Sequence, residues 1–221
     1  LGRLTPYASG NQIQKTGETP VDIKVGVDAI AEASKKLSNW GRWGESDQIG
    51  TLNFVTPAQV ASAAKLVKKG KVFGMGIPLD GRGPQTATGF GGRWNPILTM
   101  LATGTDCISE RQGFGSLGGY ADDAIYMPVQ AATHWDSLGH VFYQKKTYNG
   151  HDASLIDSRG CGILGIEYTR DRMVGRGVLL DVARFKGVEA LDDGYGISNN
   201  EPHAVATQQG DPLRGGEYLI V

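Results

Sequence analysis

Glycine sets the first limit on this chain. It supplies 33 of 221 residues, shows no collagen-like period, and clusters between Gly81 and Gly119. Aromatic and apolar residues, among them Phe90, Trp94 and Phe114, are interleaved with those glycines. The stretch therefore reads as long ordered loops rather than as a linker. Ordered loops of that length in a compact domain usually carry function.

Secondary structure is legible on both sides of the loops. Residues 25–37 carry Val27, Ile30, Ala31 and Leu37 at the spacing of a short helix. Trp40-Gly-Arg-Trp43-Gly reads as a turn with two large aromatics. The clearest helix begins at Thr56, a capping residue, with Pro57 at the first helical position. Val60, Ala63, Ala64 and Val67 form its apolar face, Lys65, Lys68 and Lys69 favour its negative end, and Gly70 stops it. Strands are expected at residues 71–79, 96–103, 124–129 and 178–182, with Asp181 a structural residue inside the last. Residues 198–209 read as a helix, and a final strand begins near Tyr218. There is no internal repeat. Helices and strands mix without strict alternation, which places the chain in the α/β or α+β class.

The length supports one full core and not clearly two. Residues 1–24 are polar and aperiodic and read as an arm, leaving 25–221 as the domain. The chain opens on Leu1 without the basic and apolar regions of a secretion signal. It closes on Gly216-Glu-Tyr-Leu-Ile-Val221, which reads as a strand stopped in mid-run, so the domain is expected to be truncated and to continue past Val221. A net charge of −1 leaves no electrostatic footprint for nucleic acid or an anionic membrane, and no apolar stretch approaches a membrane span. Cys107 and Cys161 are too few for a disulfide framework and read as free thiols in a cytoplasmic protein.

Chemistry concentrates in one short segment. Two of the four histidines fall in Gln130-Ala-Ala-Thr133-His134-Trp-Asp136-Ser-Leu-Gly139-His140. His134 and Asp136 are two apart, so in an extended or sharply turned backbone both side chains can reach one ion. An imidazole with a carboxylate suits zinc, manganese or iron. Gln130 can add an amide oxygen, a much weaker ligand. His140 follows a turn at Gly139, and its near-neutral pKa suits a general acid or base. Spacing alone fits equally well two hydrogen-bonded loop residues and a packed histidine. His151 reads as a surface-turn residue and His203 as a solvated one. The loop with Phe90, Arg93 and Trp94 reads as a lid or a subunit contact.

The segment resembles the signature of the cyclase-like family of metal-dependent hydrolases, which includes bacterial kynurenine formamidase and isatin hydrolase. That signature runs His-x-Gly-Thr-His-x-Asp-x-x-x-His, and Thr133, His134, Asp136 and His140 match it in register. Trp43-Gly-Glu-Ser-Asp-Gln-Ile-Gly-Thr-Leu-Asn53 and Arg176-Gly-Val-Leu-Leu-Asp-Val182 also resemble larger members, so the likeness runs from about residue 40 to the end. Two departures stand out. Gln130 and Ala132 replace the signature's first histidine and its glycine. The later histidine and glutamate that complete the family's metal cage have no match before Val221 and are expected beyond it.

The resemblance implies an α/β fold, a swivelling β/β/α domain with a mixed sheet and flanking helices. It implies a zinc or manganese ion on His134 and Asp136, with Gln130 beside them and His140 as the catalytic histidine. It further implies hydrolysis of an amide, lactam or related carbonyl bond in a small, often aromatic substrate, by a homodimer or homotetramer. Such substrates make Trp40, Trp43 and Asn53 candidates for lining the pocket, with packing of the N-terminal arm as the other reading of the tryptophans. Two other readings stay open: a non-catalytic small-molecule-binding relative, favoured by Gln130, and a cyclase or dehydratase using the same pocket.

Overall fold

The computed structural model describes residues 26–88 and 90–221; the expected arm at 1–24 lies outside them. The chain divides into two compact units. Within the described residues the first holds helix α1 (Val27–Lys36), Val178–Arg214 and Leu219–Val221, and the second holds Asn39–Gly177 and Gly215–Tyr218.

In the second unit, α2 (Pro57–Ala64) starts where its capping residues place it. The Thr56 hydroxyl accepts from Gln59 N at 3.3 Å, and Gln59 Oε1 accepts from Thr56 N at 2.8 Å. Such a reciprocal cap is worth about 1 kcal/mol. The helix ends at Ala64, short of the expected Gly70. Leu66 N turns back to Ala63 O and Val67 N to Ala64 O, the tightened pattern of a fraying end. Strands β1 (Ile97–Ala102) and β2 (Asp122–Tyr126) pair antiparallel, Ile97 opposite Tyr126. Between them lies the short helix α3 (Gly104–Ile108), capped reciprocally by Thr103 and Asp106. The two-residue strands β3 (Ile156–Asp157) and β4 (Gly160–Cys161) make a second antiparallel pair.

The strand expected at 71–79 does not form. Gly74, Gly76 and Pro78 remove packing side chains and one donor. The segment is exposed, Val72 at 90 %, and Ile77 N donates to the Thr133 hydroxyl at 2.9 Å instead of to a ladder. The glycine-rich loop is ordered by side chains, as expected. Asn95 bonds both the N–H and the C=O of Gln85 at 2.9 Å, and Ala87 N donates to Arg93 O.

In the first unit the expected strand at 178–182 splits. β5 (Gly177–Leu179) pairs with β6 (Tyr218–Ile220) and ends early, because Asp181 accepts from Arg184 N at 2.9 Å and caps a new helix, α4 (Val182–Lys186). Asp181 is therefore a helix cap and not a strand residue. Helix α5 (Asn200–Gln209) follows as expected. Val178, Leu180, Val182, Val205 and Ala206 are buried together, each larger side chain contributing roughly 1.5–3 kcal/mol. This mixture of helices and small sheets is an α/β architecture.

Glu201 fastens α5 to α4. It is 6 % exposed, takes the Lys186 ammonium at 2.7 Å and Ser198 N at 2.6 Å, and accepts from the Tyr195 hydroxyl. Burial alone would raise its pKa, but the hydrogen bonds from Lys186, Tyr195 and Ser198 outweigh it and hold the carboxyl at about 2. A carboxyl depressed on folding stabilises above its unfolded value, and that contribution is lost as pH falls through the folded one. Glu201→Gln should therefore lower the thermal midpoint at pH 7 by several degrees. The gap to the parent, read by circular dichroism melts, should close between about pH 4.5 and pH 2.

Candidate functional site

The histidine segment leaves β2 through a turn in which Ala131 N donates to Pro128 O at 2.9 Å. Ala131 is fully buried, and its carbonyl accepts from Gln85 Nε2 at 3.1 Å. Beyond it the side chains turn outward: Thr133, His134, Trp135 and Asp136 are exposed. Trp135 meets the Tyr218 ring edge-on at 5.8 Å.

Two contacts fix the imidazoles. His134 Nδ1 lies 2.6 Å from Ala132 O. A carbonyl only accepts, so Nδ1 carries the proton and Nε2 is left with its lone pair, the arrangement of a metal-ligating histidine. His140 Nδ1 bonds Asp136 Oδ1, which places its proton on Nδ1 too and frees Nε2. Gln130 brings its side-chain amide 3.2 Å from the same Nδ1. The amide atom facing it is Nε2, a donor, so with the Nδ1 proton given to Asp136 the pair is a close approach and not a hydrogen bond. Asp136 Oδ1 also accepts from Ser137 N at 3.0 Å. Both described bonds of Asp136 thus use one oxygen, leaving Oδ2 for a ligand.

Gln130, Asp136 and His140 are brought together, with His134 on the same exposed turn. The donor chemistry of His134 Nε2 and Asp136 Oδ2 fits a divalent cation as far as it goes. Among the described residues, however, no group of three His, Cys, Asp or Glu side chains gathers to hold one.

His140 ends a single 3-10 turn, Leu138–His140, that is tied down from behind. The Thr147 hydroxyl donates to Leu138 O at 2.8 Å, and Gly139 N donates to Leu164 O at 3.3 Å. Gly139 is buried, and a Cβ there would sit 3.3 Å from Cys161 Sγ and Ile163 O. Leu164, 1 % exposed, holds a left-handed backbone at φ 62°, which costs roughly 1–2 kcal/mol for a non-glycine residue. Its N–H donates to Gln48 Oε1 at 2.9 Å.

The Trp43–Asn53 stretch supports this turn. Asp47 accepts from Asn53 Nδ2 at 2.6 Å, Tyr148 OH at 2.8 Å and Gly50 N at 2.9 Å. Burial pushes the Asp47 carboxyl up, but those hydrogen bonds, with one from Ile49, bring it below its usual range. Burial, then the bond to Asp47, pushes the Tyr148 hydroxyl up to about 12. Asn149, at φ 60°, accepts from Gly41 N and donates to Gly44 O. Trp43 stacks edge-on with Phe54 at 5.2 Å, the Arg42 guanidinium over both rings. Trp40 lies over Gly150. The described contacts of Trp43 thus run to Phe54 and Arg42, those of Asn53 to Asp47 and Gly50 O, and that of Trp40 to the 148–150 turn.

His151 is half-buried, not a free surface residue. Its Nε2 and the Ser137 hydroxyl are shut from solvent without a hydrogen-bond partner among the described residues. His203 is exposed, as expected. The bracing residues Gln48, Tyr148 and Leu164 were not singled out from sequence. The only signal was that Gln48 stands in the Trp43–Asn53 stretch.

A family model described as "Putative cyclase" matches residues 93–221, more than half of the chain. A crystal structure described as that of a novel cyclase aligns with a TM-score of 0.75 and 39 % identity. That alignment covers 82 % of this chain and 60 % of the other, so the chain spans about three-fifths of that relative. A search of curated proteins gives no match. The chain belongs to the cyclase family. Among the described residues no helix is long and apolar enough to cross a membrane.

Gly50 sits against the Leu138–His140 turn at φ +55°, where an added Cβ would lie 3.3 Å from Leu138 Cδ1. Gly50→Ala should destabilise the fold by about 1–2 kcal/mol, read as a lower urea midpoint at unchanged m-value.

Proposed function

We propose that this chain is a metal-dependent hydrolase that cleaves an amide, lactam or related carbonyl bond of a small substrate. One observation carries the reading: His134 and His140 are each held through Nδ1, to a carbonyl and to Asp136, and both leave Nε2 free. His134 Nε2 and Asp136 Oδ2 are the proposed ligands, with Gln130 nearby. A divalent ion there, zinc or manganese, supplies Lewis acidity toward the carbonyl and acidifies the attacking water. His140 Nε2 takes a proton and returns it to the leaving group. Asp136 keeps the ring in the tautomer this needs. Trp40, Trp43 and Asn53 are the proposed substrate contacts, which makes an aromatic formamide the first compound to assay. Assembly as a homodimer or homotetramer belongs to the same proposal.

One observation favours a second reading, a non-catalytic binding relative: no third strong metal ligand stands with His134 and Asp136 among the described residues. Elemental analysis separates the two. Protein purified without chelator should carry a divalent metal, and Asp136→Ala should lose it. No metal on purification, and none taken up from zinc or manganese, would sink the hydrolase reading.

Gln130 offers a graded test. Replacing an amide by an imidazole should tighten the ion's dissociation constant about tenfold for each roughly 1.4 kcal/mol gained. Unchanged affinity in Gln130→His, measured by competition with a chromogenic chelator, would mean that residue 130 does not face the ion.

A further inference from the structure

The geometry points to Gln48 as a positioning residue for His140, acting through the left-handed peptide of Leu164. Gln48 lies far from His140 in sequence and makes no described contact with it. Its Oε1 accepts from Leu164 N at 2.9 Å. The carbonyl of Leu164 accepts from Gly139 N at 3.3 Å, and Gly139 is the residue before His140. Leu164 thus joins Gln48 to the turn, an acceptor on its N–H side and a donor on its C=O side.

Each link is needed for a physical reason. Leu164 is buried, so its N–H has no water to fall back on and must find a protein acceptor. Its φ of 62° is disfavoured for leucine and persists only where the surroundings over-determine it. With Oε1 gone, Leu164 is driven toward an allowed φ, and that rotation about its N–Cα bond swings its carbonyl away from Gly139 N. Gly139 is buried against Cys161 Sγ and the carbonyls of Ile163 and Leu164, each 3.3–3.4 Å from where a Cβ would stand, so the turn has little room to absorb the change locally. The displacement is passed to His140, whose ring must keep Nδ1 on Asp136. Asp47, the neighbour of Gln48, is held by Asn53, Gly50 N and Tyr148, so Gln48 projects from a fixed support.

The inference rests on the reading of His140 as the reacting base only for its effect on catalysis. The brace can be read without turnover. In the full chain, uniformly labelled with nitrogen-15, long-range proton–nitrogen spectra report the imidazoles of the four histidines, and His140→Gln identifies the His140 signals. Gln48→Leu, which loses the acceptor, should shift the His140 ring signals and the Leu164 amide and leave His203 in place. Gln48→Glu, which keeps an oxygen at that position, should leave the His140 signals near those of the parent. Val205→Ala, in the core of the other unit, should lower the melting temperature without moving them. With a substrate in hand, Gln48→Leu should lower kcat on the order of tenfold to a hundredfold at nearly constant KM. Should Gln48→Leu fail to fold, Gln48→Asn, one methylene too short to reach, is read in the same way. Unmoved His140 signals in the acceptor-less variant, or equal shifts in Gln48→Glu, would overturn the brace. Absence of metal or turnover with the ring signals displaced would overturn the hydrolase reading and leave the brace standing.

Discussion

The placement of His140 depends on where the peptide groups of Ser137 to His140 find partners. Ser137 and Gly139 are buried, and each buried peptide group left unpaired there would cost about 1–3 kcal/mol. The partners come from far along the chain: Thr147 for Leu138 O and Leu164 O for Gly139 N. Leu164 in turn depends on Gln48, and Tyr148, next to Thr147, on Asp47. The segment thereby acquires a fixed geometry, although β1 and β2 beside it make a two-stranded sheet, an arrangement weak in isolation.

Three carboxylates show how the same group serves different ends. Asp47 and Glu201 are saturated, each accepting several donors, and both are held in the charged form at neutral pH. Neither has a free oxygen to offer, and their consequence is stability. Asp136 is exposed and uses a single oxygen, toward Ser137 N and His140 Nδ1. A carboxylate with one oxygen orienting a histidine and the other open is equipped for chemistry. Occupancy of the lone pairs, more than sequence spacing, separates the carboxylate open to a ligand from the saturated ones.

What the sequence disclosed follows from how local each signal is. Thr56 and Pro57 announce α2 because a helix start is decided within a few residues, and β1 and β2 carried apolar runs long enough to read. The run at 71–79 failed because a strand is made by its neighbour, and the bonding partner there is the Thr133 hydroxyl. Val178 to Val182 was read as one strand because its apolar pattern is continuous; the break comes from the Asp181 side chain, which competes for Arg184 N. In the site, Gln130, His134, Asp136 and His140 were legible because they lie within eleven residues of one another. Gln48 and Leu164 were not. Their bond spans 116 residues, and nothing in the letter Leu marks a left-handed backbone.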